Sequence, residues 1–498
     1  MNRKLGIGFA LLLAFTFAGA QNWAPLNNQP TFLAGTALLL TDGTVMVQEM
    51  TAGGLGTGNW WKLTPDNMGS YRNGTWTQLA TMPSMPNVSP NTGSSLYAPL
   101  YYASAVLPDK RVIIMGGERD DVNNESTRGA IYDPAFNTWT PITPPPNVTQ
   151  IGDASGVVLP NGTFMLGPCC GATTDWLLDP TSLTWTATGA AGKADGNTEE
   201  GWTLLPNGNV LTVDTTNVPF SEVFNPSSGS WSSAGNTILS LPSSTGQEIG
   251  PAVLRPDGAV FAVGGNSNTA VYGAFGTWSM GPQIPGGQNG ADVPAALLTN
   301  GRVLLETADH FLDQGLGTHF YEFDGNNLTA VVAPPTAGNV FGFVGRMLVL
   351  PTGEIMFTNQ TAQVELYTSS GSYLPAWQPT ISSISNTSLG TGLTYTISGT
   401  QFNGLSQGAM YGDDAQSATN YPLVRITNNG TGHVFYMRTH DHSTMAVATS
   451  GTPVSTMFDV PLSTEVGDSM LQVVVNGIPS NPIPVTVFLS RRRACCIF

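Results

Sequence analysis

Seven times along the chain a short apolar run ends in a tight turn and re-enters a second apolar run. The copies span 36–43, 103–110, 154–162, 202–208, 252–258, 295–301 and 347–353. Most carry small or branched apolar residues, then Pro or Thr, then Asp or Asn, then Gly; Lys110 takes the Gly place in the second copy and Thr352 the Asp/Asn place in the seventh. Runs this short, flanked by turn residues and rich in Val, Leu and Ala, predict strands buried on both faces rather than helices. The turn positions 43, 110, 162, 208, 258, 301 and 353 lie 43 to 67 residues apart. A repeat near 50 residues with strand periodicity predicts one four-stranded blade per copy, hence a seven-bladed β-propeller over about 22–375.

Further signals recur inside the units. Asp133-Pro134, Asp179-Pro180 and Asn225-Pro226 mark turns, and Thr or Ser precedes Trp76, Trp139, Trp185, Trp231 and Trp278. A Trp at that place is expected to pack between blades, which bury their faces only against neighbours. Together with the Gly116-Gly117 and Gly264-Gly265 pairs, the units resemble kelch repeats. From Pro379 the pattern changes to strict alternation, as in Leu393–Gly399 and Met470–Gly477. This segment, 379–488, resembles the immunoglobulin-like β-sandwich appended to sugar oxidases. The fold class expected is therefore all-β: a seven-bladed kelch-type propeller followed by an immunoglobulin-like sandwich.

Composition narrows the function classes. Charged residues are only 10% of 498, Gly and Pro number 58 and 36, and the net charge is −16. Such a chain lacks the clustered Lys and Arg that nucleic acid requires, and its field favours cations or neutral sugars. Residues 1–20 read as a secretory signal peptide: Arg3 and Lys4, an apolar stretch from Leu5 to Phe17, and Ala18-Gly19-Ala20 as a cleavage site. No other stretch approaches the length of a membrane span, so an exported protein, extracellular or periplasmic, is expected. The four Cys form two vicinal pairs, Cys169-Cys170 and Cys495-Cys496; a vicinal bridge and a pair of small apolar residues both remain open for the first. The Arg-rich tail 489–498 reads as disordered. Tyr411-Gly412-Asp413-Asp414 reads as a turn of the second domain without chemical significance.

The order of a secreted kelch propeller and an immunoglobulin-like domain resembles the galactose oxidase and glyoxal oxidase family over nearly the whole mature chain. That resemblance implies a copper centre built from a Tyr cross-linked to a Cys, a Tyr-His pair on another blade, and a His from the C-terminal domain. The propeller ligands of the family enter the inner strand about nine residues before the turn Gly. At that offset this chain has Ala34, Tyr101, Asp153, Glu199, Ile249, Asp292 and Val344. Tyr101 matches the radical Tyr. Ala34 stands for the Cys and Phe343-Val344 for Tyr-His, so copper-radical chemistry is not expected. In its place Asp153, Glu199 and Asp292, with Glu200 and Glu248 adjacent and Tyr101 and Tyr102 beside them, predict an acidic, aromatic-edged mouth on the propeller axis. Carboxylates suit Ca²⁺ or another hard divalent cation, and carboxylates beside aromatic faces suit sugars. Each acid alone has an ordinary alternative, that of satisfying backbone N–H groups at a strand start.

A second candidate is Thr439-His440-Asp441-His442, in a chain with only five His. Two His at spacing two share one face of a strand, so His440 and His442 are the metal-ligand candidates, with hydrogen bonding to Asp441 or backbone as the alternative. Thr439-His440 also matches the Thr-His step by which the family supplies its C-terminal ligand. The function expected is an exported carbohydrate- or cation-binding or scaffold protein using the axial acids. The alternatives are a secreted enzyme, either a degenerate copper oxidase of alcohols and aldehydes or a carboxylate-based carbohydrate-active enzyme.

Overall fold

The computed structural model describes residues 22–85, 96–120, 125–414 and 416–490. The leader 1–20 and Cys495-Cys496 lie outside the described residues. Among those described, no helix is long and apolar enough to cross a membrane.

The seven turns share one backbone solution. Positions 43, 110, 162, 208, 258, 301 and 353 all have φ between 75° and 88°, a region open to Gly and costing an L side chain about 1–2 kcal/mol. Lys110 accepts that cost. In the first copy Gly43 N–H donates to Leu40 C=O at 2.9 Å and Leu40 N–H to Thr44 C=O at 2.8 Å, and the other six repeat the pair. The Asp or Asn before the Gly accepts the N–H two residues on, as Asp42 from Thr44, Asn161 from Thr163 and Asp257 from Ala259. The recurring Asp/Asn-Gly is thus a turn device that joins the two innermost strands of each blade.

Those hairpins grow into seven antiparallel sheets. The innermost strands of blades 1 to 7 are Leu33–Leu39, Ala103–Val106, Ser155–Val158, Thr203–Leu204, Ile249–Leu254, Ala295–Leu297 and Arg346–Val349. Blade 7 takes its outermost strand, Asn22–Pro25, from the chain start, paired with Glu365–Thr368, which closes the ring. The recurring Trp indoles tie each blade to the segment before it. Trp139 Nε1 donates to Ala80 C=O at 2.8 Å, Trp185 to Thr143 C=O at 2.8 Å, and Trp278 to Ser221 Oγ at 2.8 Å. The core lies between blades, for example where Trp139 packs against Trp60 and Tyr132, with ring centroids 5.7 Å and 5.1 Å apart.

The C-terminal unit alternates as its sequence does: every second residue of Thr394–Thr400 and Pro453–Asp459 faces inward. Its strands make one curled nine-stranded sheet. The bend falls in Val434–His440, whose Val434–Met437 half pairs with Val424–Thr427 and whose Arg438–His440 half pairs with Met457–Asp459. Ile397, Val424, Ile426, Met437, Phe458, Leu471 and Val473 fill the fold of that sheet.

One segment of this unit, 403–414 with 416–421, leaves it and enters the propeller. Ala409–Met410 adds to blade 6 by pairing with Ala295 and Ala296. The side chains of the finger then satisfy inner-strand groups around the ring. Gln407 Oε1 accepts from Leu204 N–H at 2.7 Å, Ser104 Oγ donates to Gln416 C=O at 2.9 Å, and Ser417 Oγ donates to Ala37 C=O at 3.1 Å. Inner strands leave polar backbone facing the axis, and this segment supplies the partners that water supplies in an open channel.

Candidate functional site

The inner strands begin at one end of the propeller, around a cavity of about 280 Å³. Tyr101, Asp153, Glu199, Glu248 and Asp292 reach it from the residues at or before the strand starts of blades 2 to 6, Phe343 from blade 7, and Asp413 and Asp414 from the finger; Glu118, Arg119, Leu312 and Asp313 complete the wall. Tyr101, Glu199 and Asp292 have φ of 54°, 52° and 46°. Non-glycine residues pay about 1–3 kcal/mol for this conformation, and it gathers at functional sites. The finger reaches the cavity over a glycine contact: a Cβ on Gly201 would lie 2.2 Å from Gly412 C=O, and one on Gly412 2.4 Å from Asp292 Oδ1.

Eight carboxylates therefore face one cavity, against 33 acidic residues in the whole chain. Arg119 stands on the rim, 3.5 Å from Glu118. Arg346 lies behind, stacked 3.9 Å from the centre of the Tyr411 ring and 5.9 Å from that of Tyr101. Two carboxylates 4 Å apart repel by about 4 kcal/mol at the effective dielectric of a protein surface, so crowding of the cluster favours its protonated forms. Burial, then the charge of Glu248, pushes Glu199 up to about 8. Asp153 is raised by burial and by Glu199, Asp292 by burial and by Glu248, and Asp413 by burial and by Glu199. Asp414 is lifted by burial to about 6, with Arg346 opposing. Burial also raises the Tyr101 phenol, so it is protonated at neutral pH. Four oxygens of the cluster, Glu248 Oε2, Asp292 Oδ1, Asp413 Oδ2 and Asp414 Oδ2, meet no hydrogen-bond donor.

The structure gathers five of the candidates read from the sequence, Tyr101, Asp153, Glu199, Glu248 and Asp292, and leaves four outside. Tyr102 points the other way along its strand, where it is buried and donates to Gln48 Oε1 at 2.8 Å. Glu200, one residue past Glu199, turns into blade 4 and holds Lys193 Nζ at 2.9 Å, beside Asp195 and Glu222 at 3.1 and 3.0 Å from the same nitrogen. His440 and His442 sit near the opposite end of the inner strands, His442 N–H donating to Pro108 C=O in the turn of blade 2. They do not share a face, because Asp441 between them has φ 52°. His440 faces Asp441 and Asp459 at 2.9 and 3.3 Å, and His442 is buried with Nδ1 2.8 Å from Thr456 Oγ1. Among the described residues, no group of His, Cys, Asp and Glu close enough to hold an ion includes either His.

Tyr411, Asp413 and Asp414, read from the sequence as a turn without chemistry, line or back the cavity; that reading is corrected. The signal was two adjacent acids in a domain poor in charge. Cys169 and Cys170 form a disulfide, and their sulfurs lie within 4.8 Å of carboxylate oxygens of Asp153 and Glu199. Being bonded to each other, the sulfurs offer no thiolate.

A kelch motif matches residues 99–146. A fungal alcohol oxidase of the AA5 family, solved in complex with copper, superposes with a TM-score of 0.51 at 14% identity, over 94% of this chain and 100% of that one. At this identity the likeness is one of fold alone. The extracellular domain of a hybrid two-component system of B. thetaiotaomicron has a TM-score of 0.47 at 11% identity; this chain is covered over 95% of its length but spans only 60% of that protein. No curated protein matches the sequence.

Among the described residues, the cavity wall does not carry the copper-radical donor set that the resemblance implies. Ala34 is buried in the Cys place, Phe343 and Val344 stand for Tyr-His, and neither a His nor a free thiol is in the cavity wall. Imidazole and thiolate suit copper, whereas a wall of carboxylates suits hard cations.

Proposed function

We propose that the chain is an exported binding protein that takes a carbohydrate in the axial pocket, with no copper-radical oxidation. The observation that carries this reading is the composition of the wall: eight carboxylates with Tyr101 and Phe343, their rings 6.3 Å apart and edge to face. Carboxylates accept hydrogen bonds from sugar hydroxyls, and aromatic faces cover C–H faces. Export is supported by the basic-apolar-small leader at 1–20 and by the Cys169–Cys170 disulfide. Purified protein loaded with copper should release no hydrogen peroxide from galactose, glyoxal or primary alcohols. Steady release from any of them, lost on Tyr101→Phe, would overturn the proposal. Binding is measured by calorimetry against a panel of neutral sugars, and Asp153→Asn should weaken it.

A second reading has one observation in its favour. Glu199, held protonated to about 8 among other acids, has the character of a general acid in carbohydrate cleavage. Reducing ends released from a polysaccharide by the native protein, and lost in Glu199→Gln with binding retained, would favour it.

A further inference from the structure

We propose that Asp153, Cys169, Cys170 and Glu199 form a latent Zn²⁺ site beside the axial pocket, closed while the two sulfurs are bonded and opened by a dithiol reductant. Each residue offers one donor atom, two Sγ and two carboxylate oxygens, and all four atoms lie within 4.8 Å of one another. In a tetrahedral zinc site, with Zn–S about 2.3 Å and Zn–O about 2.0–2.2 Å, neighbouring donors stand about 3.3–3.8 Å apart. Reduction lets the sulfurs part to that spacing, and rotation of the two carboxyl groups closes the rest. The other such group among the described residues, Asp195, Asp214 and Glu222, already holds a cation: Lys193 Nζ lies 3.1 and 3.0 Å from Asp195 and Glu222.

Three backbone segments hold the donors in place. Asp153 precedes the inner strand of blade 3, Glu199 precedes that of blade 4, and the Cys pair follows Phe164–Gly167, the second strand of blade 3. Cys169 N–H donates to Ile151 C=O at 2.9 Å, and Gly171 N–H donates to Asn197 C=O at 2.7 Å. The pair is thus tied on one side to the segment that carries Asp153 and on the other to the segment that carries Glu199. Gly152 permits the close approach: its φ is 68°, and a Cβ there would lie 3.2 Å from Cys169 Cβ. These ties are made by backbone and not by sulfur, so breaking the S–S bond leaves the donors assembled. Cys169 is buried and Cys170 exposed, so a reductant, and then an ion, reach the pair from solvent through Cys170.

A dithiol gives the disulfide two electrons and two protons, which breaks the S–S bond and leaves two thiols, and the dithiol itself becomes a disulfide. Zn²⁺ then displaces the two thiol protons, since the thiolate is the metal ligand. Oxidation by a disulfide acceptor reverses both steps: two electrons leave, the S–S bond re-forms and the ion is released. The choice of ion follows from the donors. Two thiolates disfavour hard cations such as Ca²⁺ and Mg²⁺, two carboxylates disfavour Cu(I), and Zn²⁺ accepts both kinds in tetrahedral order. Asp153 and Glu199 also line the axial pocket, so the ion and a pocket ligand draw on the same acids. Binding of the ion does not require that the pocket take a sugar.

The full chain carries Cys495→Ser and Cys496→Ser, so that the tail pair supplies no competing thiols. It is reduced with a dithiol, desalted without oxygen and titrated with Zn²⁺ against a chromogenic chelator. Co²⁺ in place of Zn²⁺ reads the ligands through its thiolate-to-metal charge-transfer band. One Zn²⁺ per reduced chain is expected, with that band on Co²⁺, whereas the same chain left oxidised shows no band and binds at least about tenfold more weakly. In the reduced chain Cys170→Ser, Asp153→Asn and Glu199→Gln should each weaken Zn²⁺ by about tenfold or more. Far-UV circular dichroism confirms that each form is folded. A reduced, folded chain that binds no Zn²⁺, or an oxidised chain that binds it as tightly, overturns the site. Affinity unchanged in both Asp153→Asn and Glu199→Gln confines the ion to the sulfurs and overturns the four-donor arrangement. Zn²⁺ binding by a reduced chain that binds no sugar supports the metal site and removes the sugar.

Discussion

His442 and Asp214 are two buried groups whose titrations act on stability with opposite sign. Burial, then the charge of His440, pushes the His442 imidazole down to about 3, and its Nε2 meets no partner. The native state keeps it neutral while the unfolded chain protonates it below about 6.5. Its contribution is therefore present above that value and lost as pH falls toward 3. Asp214 is pushed up to about 7 by burial and then by Asp195 and Glu222. The native state keeps its proton and the unfolded chain loses it near 4, so this contribution is present below about 4 and lost as pH rises through 7. Urea unfolding at a series of pH values separates them. His442→Gln should flatten the loss between pH 6 and 4, and Asp214→Asn the loss between pH 5 and 7, each by up to about 1.4 kcal/mol per pH unit. At the same scale, the sequence located Tyr101, Asp153, Glu199 and Asp292 because one offset from a repeated turn fixes one axial position. It misassigned Tyr102 and Glu200 because a neighbour along a strand points to the other side.

Among the elements, the blades were legible and the finger was not. Each blade announces itself through contacts within about 50 residues, with an Asx-Gly turn in five of the seven copies and a Trp in the outer strands of blades 1 to 5. The finger is held by partners far away in sequence, Ser104, Leu204 and Ala296 on one side and Gln416, Gln407 and Ala409 on the other, and nothing local distinguishes it from a loop. Its entry depends on Gly201 meeting Gly412 without side chains. Gly201→Ala would place a methyl 2.2 Å from the Gly412 carbonyl oxygen, and backbone cannot yield as a flexible side chain does. A cost of about 1–3 kcal/mol is expected, as for other overpacked sites. The expected result is a lower midpoint in urea with the slope unchanged. An unchanged midpoint would mean that the finger is not seated at this contact.

Over the whole molecule, a ring of seven blades must be closed, and the closure is visible only when both chain ends of the propeller are considered together. Blades 6 and 7 lack the Trp that the outer strands of blades 1 to 5 carry, and the fourth strand of blade 7 is Asn22–Pro25. That strand brings its own Trp. Trp23 Nε1 donates to Val332 C=O of the neighbouring blade at 2.7 Å, and its ring lies 5.1 Å from Phe320, 5.0 Å from Tyr367 and 5.5 Å from Phe357. The other Trp residues staple blades that the chain already joins in sequence, whereas Trp23 staples a seam that noncovalent contacts close. Trp23→Ala should therefore cost about 3–5 kcal/mol, the range for large aromatic residues. Part of that cost should appear as fraying that starts at the seam, so hydrogen exchange should quicken first at Glu365–Thr368 and then at Thr318–Phe323. Equal quickening in all seven blades would mean that the ring unfolds as one unit and that the seam is no weaker than any other blade contact. Since Trp23 belongs to an outermost strand and the carboxylates reach the axis from the starts of the innermost ones, sugar binding at the pocket should remain that of the native chain while the seam opens.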